Sequence, residues 1–150
     1  MEPTPAATSD DARTLATSRH LDAMPAQILA AFSDADRLAR WWGPRDFRNT
    51  FHVFEPRPGG QWRFTMHGPT GGNYQNESAF EAFDAQRIVI RHRSHPYYTL
   101  TVTLTPEGGG TRLGWRQTFD TDSDYRKVER FARPANEENL DRLTAELARG

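Results

Sequence analysis

Glu55-Pro56-Arg57-Pro58-Gly59-Gly60-Gln61-Trp62-Arg63-Phe64-Thr65-Met66 reads as a tight turn opening directly into a strand. Pro and Gly set the turn, and Trp62, Phe64 and Met66 then alternate onto one face. Just upstream, Trp41-Trp42-Gly43-Pro44 is a helix stop carrying two indoles. Gly tolerates the left-handed conformation past a helix end, and Pro cannot continue the helix. Together the two stretches set large apolar side chains around one interior shared by helices and a curved sheet.

Working outward, Thr14 to Asp22 alternates, with Leu15, Thr17, Arg19 and Leu21 on one side, as an edge strand would. Pro25 suits a first helical turn, and Ile28, Leu29 and Phe32 give that helix its stripe. Ser33 or Asp34 caps a second short helix that buries Leu38, Trp41 and Trp42. Strands are then expected at 47–55, 61–67, 74–83, 87–93, 97–105 and 111–119, separated by turn residues. The tail changes period. Tyr125, Val128 and Phe131 follow a helical repeat until Pro134 interrupts, and Leu140, Leu143 and Leu147 resume it. This order defines an α+β fold with six to seven antiparallel strands and a long C-terminal helix. Residues 14–150 form the one domain, and 1–13, rich in Pro, Ala, Thr, Ser and Asp, read as a disordered lead-in.

Composition removes several functions. The net charge is −1 over 150 residues, with one lysine, Lys127, among 19 basic residues. Neither nucleic acid nor membrane insertion is expected from that balance, and no apolar run approaches the ~20 residues of a bilayer span. Cysteine is absent, which excludes disulfides and thiolate catalysis. With no signal-peptide pattern at the start, a cytoplasmic protein is the expectation.

The inward register mixes aromatics with polar groups. Asn76, Ser78, His92 and Gln117 share a face with Trp62, Phe64, Tyr74, Phe80, Ile90, Tyr98 and Trp115. A buried amide or hydroxyl without a partner costs roughly 1–3 kcal/mol. The face therefore holds either a satisfied network or a hydrated cavity. An empty dry cavity of about 300 Å³ would cost about 7 kcal/mol at ~24 cal/mol per Å³, most of an ordinary stability of about 5–15 kcal/mol.

Five motifs in order carry a resemblance: Arg19 to Pro25 leading into a helix; Trp41-Trp42-Gly43-Pro44; Arg57-Pro58-Gly59-Gly60; Asn76 ahead of Gln86 to His92; and the late pair Gly110 to Arg116 and Ala135 to Leu143. Over about residues 14–149 the chain resembles the START-like SRPBCC superfamily. Its nearest likeness is to small bacterial homologues of the C-terminal domain of the heat-shock-protein ATPase activator. The resemblance implies a helix-grip fold, a curved sheet wrapped round the last helix with a cavity between. Members bind lipids, polyketides, plant hormones or other apolar molecules, and some cyclise or hydrolyse them.

The leading expectation is thus a small-molecule binding domain for an apolar or aromatic ligand. Trp42, Phe64, Met66, Phe80, Ile90, Tyr98, Trp115 and Phe131 are the expected walls, and Asn76, His92 and Gln117 the orienting polar contacts. Each has a structural alternative: a core-bonded histidine for His92, and core packing for the indoles, chiefly Trp41 and Trp62. A second reading is a partner-binding protein that modulates a chaperone ATPase. A third is a cyclase or hydrolase using His92 and Tyr98. A homodimer is compatible with all three. No cofactor is expected, because Gly59-Gly60 lacks phosphate-loop spacing. No metal is expected either, because His92 and His95, three apart, point to opposite faces of a strand.

Overall fold

The computed structural model describes residues 11–150. The first ten residues of the expected lead-in lie outside the described residues. Immediately after them, Arg13 is held at the sheet, its Nε donating to the Phe119 carbonyl at 2.8 Å.

The elements are β1 (Thr14–Leu21), α1 (Pro25–Ala31), α2 (Ala35–Trp41), β2 (Arg48–Phe54), β3 (Gln61–His67), β4 (Asn73–Phe83), β5 (Arg87–His92), β6 (Tyr98–Glu107), β7 (Gly110–Phe119) and α3 (Asp122–Arg149). The seven strands form one antiparallel curved sheet in the order β1-β7-β6-β5-β4-β3-β2, so β1 and β2 are its edges. Bulges fall between Phe51 and Val53 and between Phe80 and Ala82. An extra residue bends its strand and strengthens the local twist, which helps curl the sheet toward the helices.

Local chemistry accounts for the element ends. Pro25 opens α1, where the Gln27 side chain accepts from the Met24 N–H at 2.7 Å. Asp34 caps α2 by accepting from the Asp36 and Arg37 N–H groups at 2.8 and 3.4 Å. Trp42 leaves the helix in extended geometry, and Gly43 follows at φ 96°. A Cβ at Gly43 would also come within 2.7 Å of the mobile end of Met66, and the positive φ strains any residue with a side chain there. The 55–60 turn is tied down by Glu55, which accepts from the Gln61 N–H through its side chain. Arg57 Nη2 lies 3.5 Å from the Glu55 carboxylate in an exposed ion pair.

One expectation needs correction. Pro134 does not divide the tail, because α3 runs unbroken through it for 28 residues. A proline inside a helix removes one backbone bond and costs about 3 kcal/mol, so tertiary contacts must hold α3 together. Polar residues supply many of them. Asn139 Nδ2 donates to the Trp41 carbonyl at 2.7 Å. Arg142 donates to the carbonyls of Arg40, Trp42, Gly43, Pro44 and Phe47 at 2.7–3.1 Å. Glu146, 3% exposed, accepts from Arg37 and Arg40 at 2.8–3.0 Å. Leu140 and Leu143, fully buried, complete the seam.

Candidate functional site

The inner face of the sheet is laid out in cross-strand rows. One runs Trp62–Ser78–His92–Tyr98–Phe119, and the next Phe80–Ile90–Leu100–Gln117–Leu15. Of the expected walls, Trp42, Phe64, Phe80, Ile90 and Trp115 are buried in one cluster, with Met66 and Tyr98 partly buried against it. Trp42 sits between the two halves of the sheet, its ring 5.1 Å from Trp62 and 6.1 Å from Trp115. Phe32 and Trp41 close the cluster from the helix side.

Phe131 does not join these walls. It is 64% exposed on α3. The helical repeat that placed it inward is right in period, but the buried stripe of α3 runs through Asn139, Leu140, Leu143 and Glu146 and leaves Phe131 at its margin. Tyr74, assigned to the inward register, shares a row with Met66 but is 53% exposed at the end of the sheet.

The polar candidates split into two pairs. His92, 5% exposed, stacks on Tyr98 with ring centroids 4.5 Å apart. Its Nδ1 donates to the Pro96 carbonyl at 2.7 Å, and its Nε2 lies 2.8 Å from the Asn76 amide oxygen and 3.3 Å from the Ser94 hydroxyl. Burial pushes the imidazole below its ordinary pKa, outweighing the Pro96 carbonyl that favours the charged form. Burial alone pushes the Tyr98 phenol up to about 12. Burial thus disfavours the charged form of both groups, and Tyr98 is far from the range of an acid or base working at pH 7. The second pair lies on the other side of β6. Gln117 Oε1 accepts from Asn136 Nδ2 of α3 at 3.0 Å.

A cavity of about 330 Å³ opens between edge strand β1 and α3, lined by Leu15, Ala16, Thr17, Arg133, Pro134, Asn136 and Glu137. None of the expected wall or polar residues lines it, although Leu15 and Thr17 pair with Gln117 and Trp115 across β1 and β7. Away from this opening, three buried side-chain polar atoms have no partner among the described residues: Trp62 Nε1, Trp115 Nε1 and Asn49 Oδ1. The other amide end of Asn49 is used, donating to the Trp42 and Ala39 carbonyls. The sequence reading favours core packing for Trp62, and its ring is indeed buried in the core. Only its ring contacts, not its orphaned N–H, were legible from register.

Among the described residues, no three His, Asp or Glu side chains converge as a metal would need, and no helix is long and apolar enough to cross a membrane. His95 instead lies 3.5 Å from Asp124 at the start of α3.

A curved seven-stranded sheet gripping one long helix, with polar groups on its inner face, defines a START-like helix-grip protein. Residues 22–148 match the family model described as Activator of Hsp90 ATPase homolog 1-like protein, and the chain belongs to that family. Solved structures agree on the fold. A protein from Rhodobacter sphaeroides is 28% identical, with a TM-score of 0.79 and coverage of 91% of this chain and 93% of that one. One from Nitrosomonas europaea is 20% identical, with a TM-score of 0.82 and coverage of 93% and 97%. A third from Silicibacter pomeroyi, named AHSA1, is 20% identical, with a TM-score of 0.70 and coverage of 90% and 97%. No curated protein matches the chain.

Proposed function

We propose that this protein binds a small apolar or aromatic molecule carrying hydrogen-bond acceptors, between the inner face of the sheet and α3. The observation that carries the reading is the pair of indole N–H groups on Trp62 and Trp115, at 0% and 2% exposure with no acceptor among the described residues. Each unpaired buried donor costs about 1–3 kcal/mol. A guest carbonyl or hydroxyl oxygen returns that energy, and so rewards an oxygen-bearing ring system over a plain hydrocarbon. The β1–α3 opening is at the small end of ligand pockets, about 300–1,000 Å³, and is lined by Thr17, the cross-strand neighbour of Trp115. Asn76, His92 and Gln117 orient the guest, with Trp42, Phe64, Met66, Phe80, Ile90 and Tyr98 around it.

The test is a thermal-shift and tryptophan-fluorescence screen with fatty acids, flavonoids and polyketides. Saturable stabilisation by an oxygenated aromatic, reduced in both Trp62→Phe and Trp115→Phe, is expected. A flat response across the panel, or stabilisation untouched by either variant, overturns it.

The family description favours a second reading, a partner that alters a chaperone ATPase. It is tested by that ATPase rate with and without this protein, and an unchanged rate removes it.

A further inference from the structure

The first half of α3 presents a cationic, aromatic outer face that the interior makes no use of. Lys127, Arg130 and Phe131 recur at helical spacing on one side, with Arg126 beside them, and all four are exposed. Phe131 is the most exposed of the large apolar side chains, at 64%. The guanidinium of Arg130 lies 5.0 Å from its ring centroid. Arg126, Lys127 and Arg130 contact no carboxylate among the described residues. Arg133, on the neighbouring face, is by contrast paired with Glu129. Whole-chain charge is −1, so three free cations within five residues are a local feature that composition conceals.

We propose that this face of α3 seats the protein peripherally on an anionic phospholipid surface, with Phe131 entering the headgroup region and the three cations flanking it. The chemistry argues for a bilayer. An exposed ring flanked by three cations without carboxylate partners complements an anionic headgroup layer with an apolar interior beneath it. Electrostatic attraction to anionic lipid adds to the burial of one apolar side chain, and it is the sum of the two that sets peripheral binding strength. Nucleic acid fits less well, since this face has only one ring to stack a base.

The proposal is independent of the interior site, because ligand binding there is read without vesicles present and through Trp62 and Trp115 rather than α3. The experiment is co-sedimentation of the full chain with phosphatidylglycerol or phosphatidylcholine vesicles at low salt. Binding to phosphatidylglycerol alone is expected. It should weaken about fivefold per cation removed, and so about a hundredfold in R126Q/K127Q/R130Q. Phe131→Ser should cost at least about tenfold, and 0.5 M salt should abolish binding by screening. All four side chains are exposed, so unchanged melting confirms that the variants fold. No binding to phosphatidylglycerol, equal binding to phosphatidylcholine, or unaltered binding in either variant overturns the proposal. Stronger capture by immobilised polyglutamate than by vesicles also overturns it and assigns the face to an acidic polypeptide.

Discussion

Replacing Glu146 with glutamine should destabilise the fold, and the loss should vanish in acid. The carboxylate is 3% exposed and is hydrogen-bonded by Arg40 and Arg37, which reach it from α2. Arg40's hydrogen bonds draw its pKa from 4.5 to about 2, against the opposing effect of burial and with further help from Arg37. At about 1.36 kcal/mol per pH unit, this links the group to a ceiling of roughly 3 kcal/mol of stability. Arg40 is 42% exposed on its side chain, so solvent screening reduces the expected value to about 1–2 kcal/mol. The sign follows from the depressed pKa. The contribution is complete above about pH 4.5 and is lost as pH falls through about 2. The assay is urea unfolding of wild type and Glu146→Gln across pH 2–7. The expected gap of about 1–2 kcal/mol at pH 7 corresponds to roughly 2–8 °C in Tm for a chain of this size, and it closes below pH 4.5. A gap that persists unchanged at pH 2, or no gap at pH 7, refutes the reasoning that this contact clamps α3 to α2.

Other outcomes follow from the same geometry. Arg142→Met leaves the carbonyls at the α2 exit without their charged donor, and should cost about 3 kcal/mol; a chemical melt within 0.5 kcal/mol of wild type would contradict that. Asp34→Ala removes the cap of α2 and should cost about 1 kcal/mol, measured in the same melt, whereas Asp34→Asn should cost far less. The His92 ring should titrate below 6.5 by NMR. Because its folded pKa is depressed, the stability it contributes is present above 6.5 and is lost as pH falls from there. A midpoint at or above 6.5 would mean that the flanking oxygens of Pro96 and Asn76 outweigh burial.

The strand run and the helix stop at Gly43-Pro44 were legible because they rest on local chemistry. The Gly43 and Gly59-Gly60 turns, the Asp34 cap and the alternation of Trp62, Phe64 and Met66 each act within a few residues. Pro134 misled because its local penalty is offset by contacts about a hundred residues away in sequence, such as Asn139 to Trp41 and Arg142 to the 40–47 carbonyls. Asn139, Arg142 and Glu146 lie at helical spacing within the apolar stripe, a polar signal inside a buried face that the leucines overshadowed. The bulges at Phe51–Val53 and Phe80–Ala82 depend on sheet curvature and left no mark in the alternation. At the site, register gave the facing rows, but the orphaned indole donors depend on side-chain angles that alternation does not encode.

The most direct test of the central claim follows the indole N–H resonances of the four tryptophans in a nitrogen-15 spectrum during titration with the best oxygenated aromatic from the screen. Trp41 supplies an internal control, because its Nε1 already donates to the Ala31 carbonyl at 3.0 Å. The expected result is a saturable downfield shift and slowed exchange at Trp62 and Trp115 while Trp41 stays fixed. Resonances of Trp62 and Trp115 that stay put while the protein binds the compound would contradict the account.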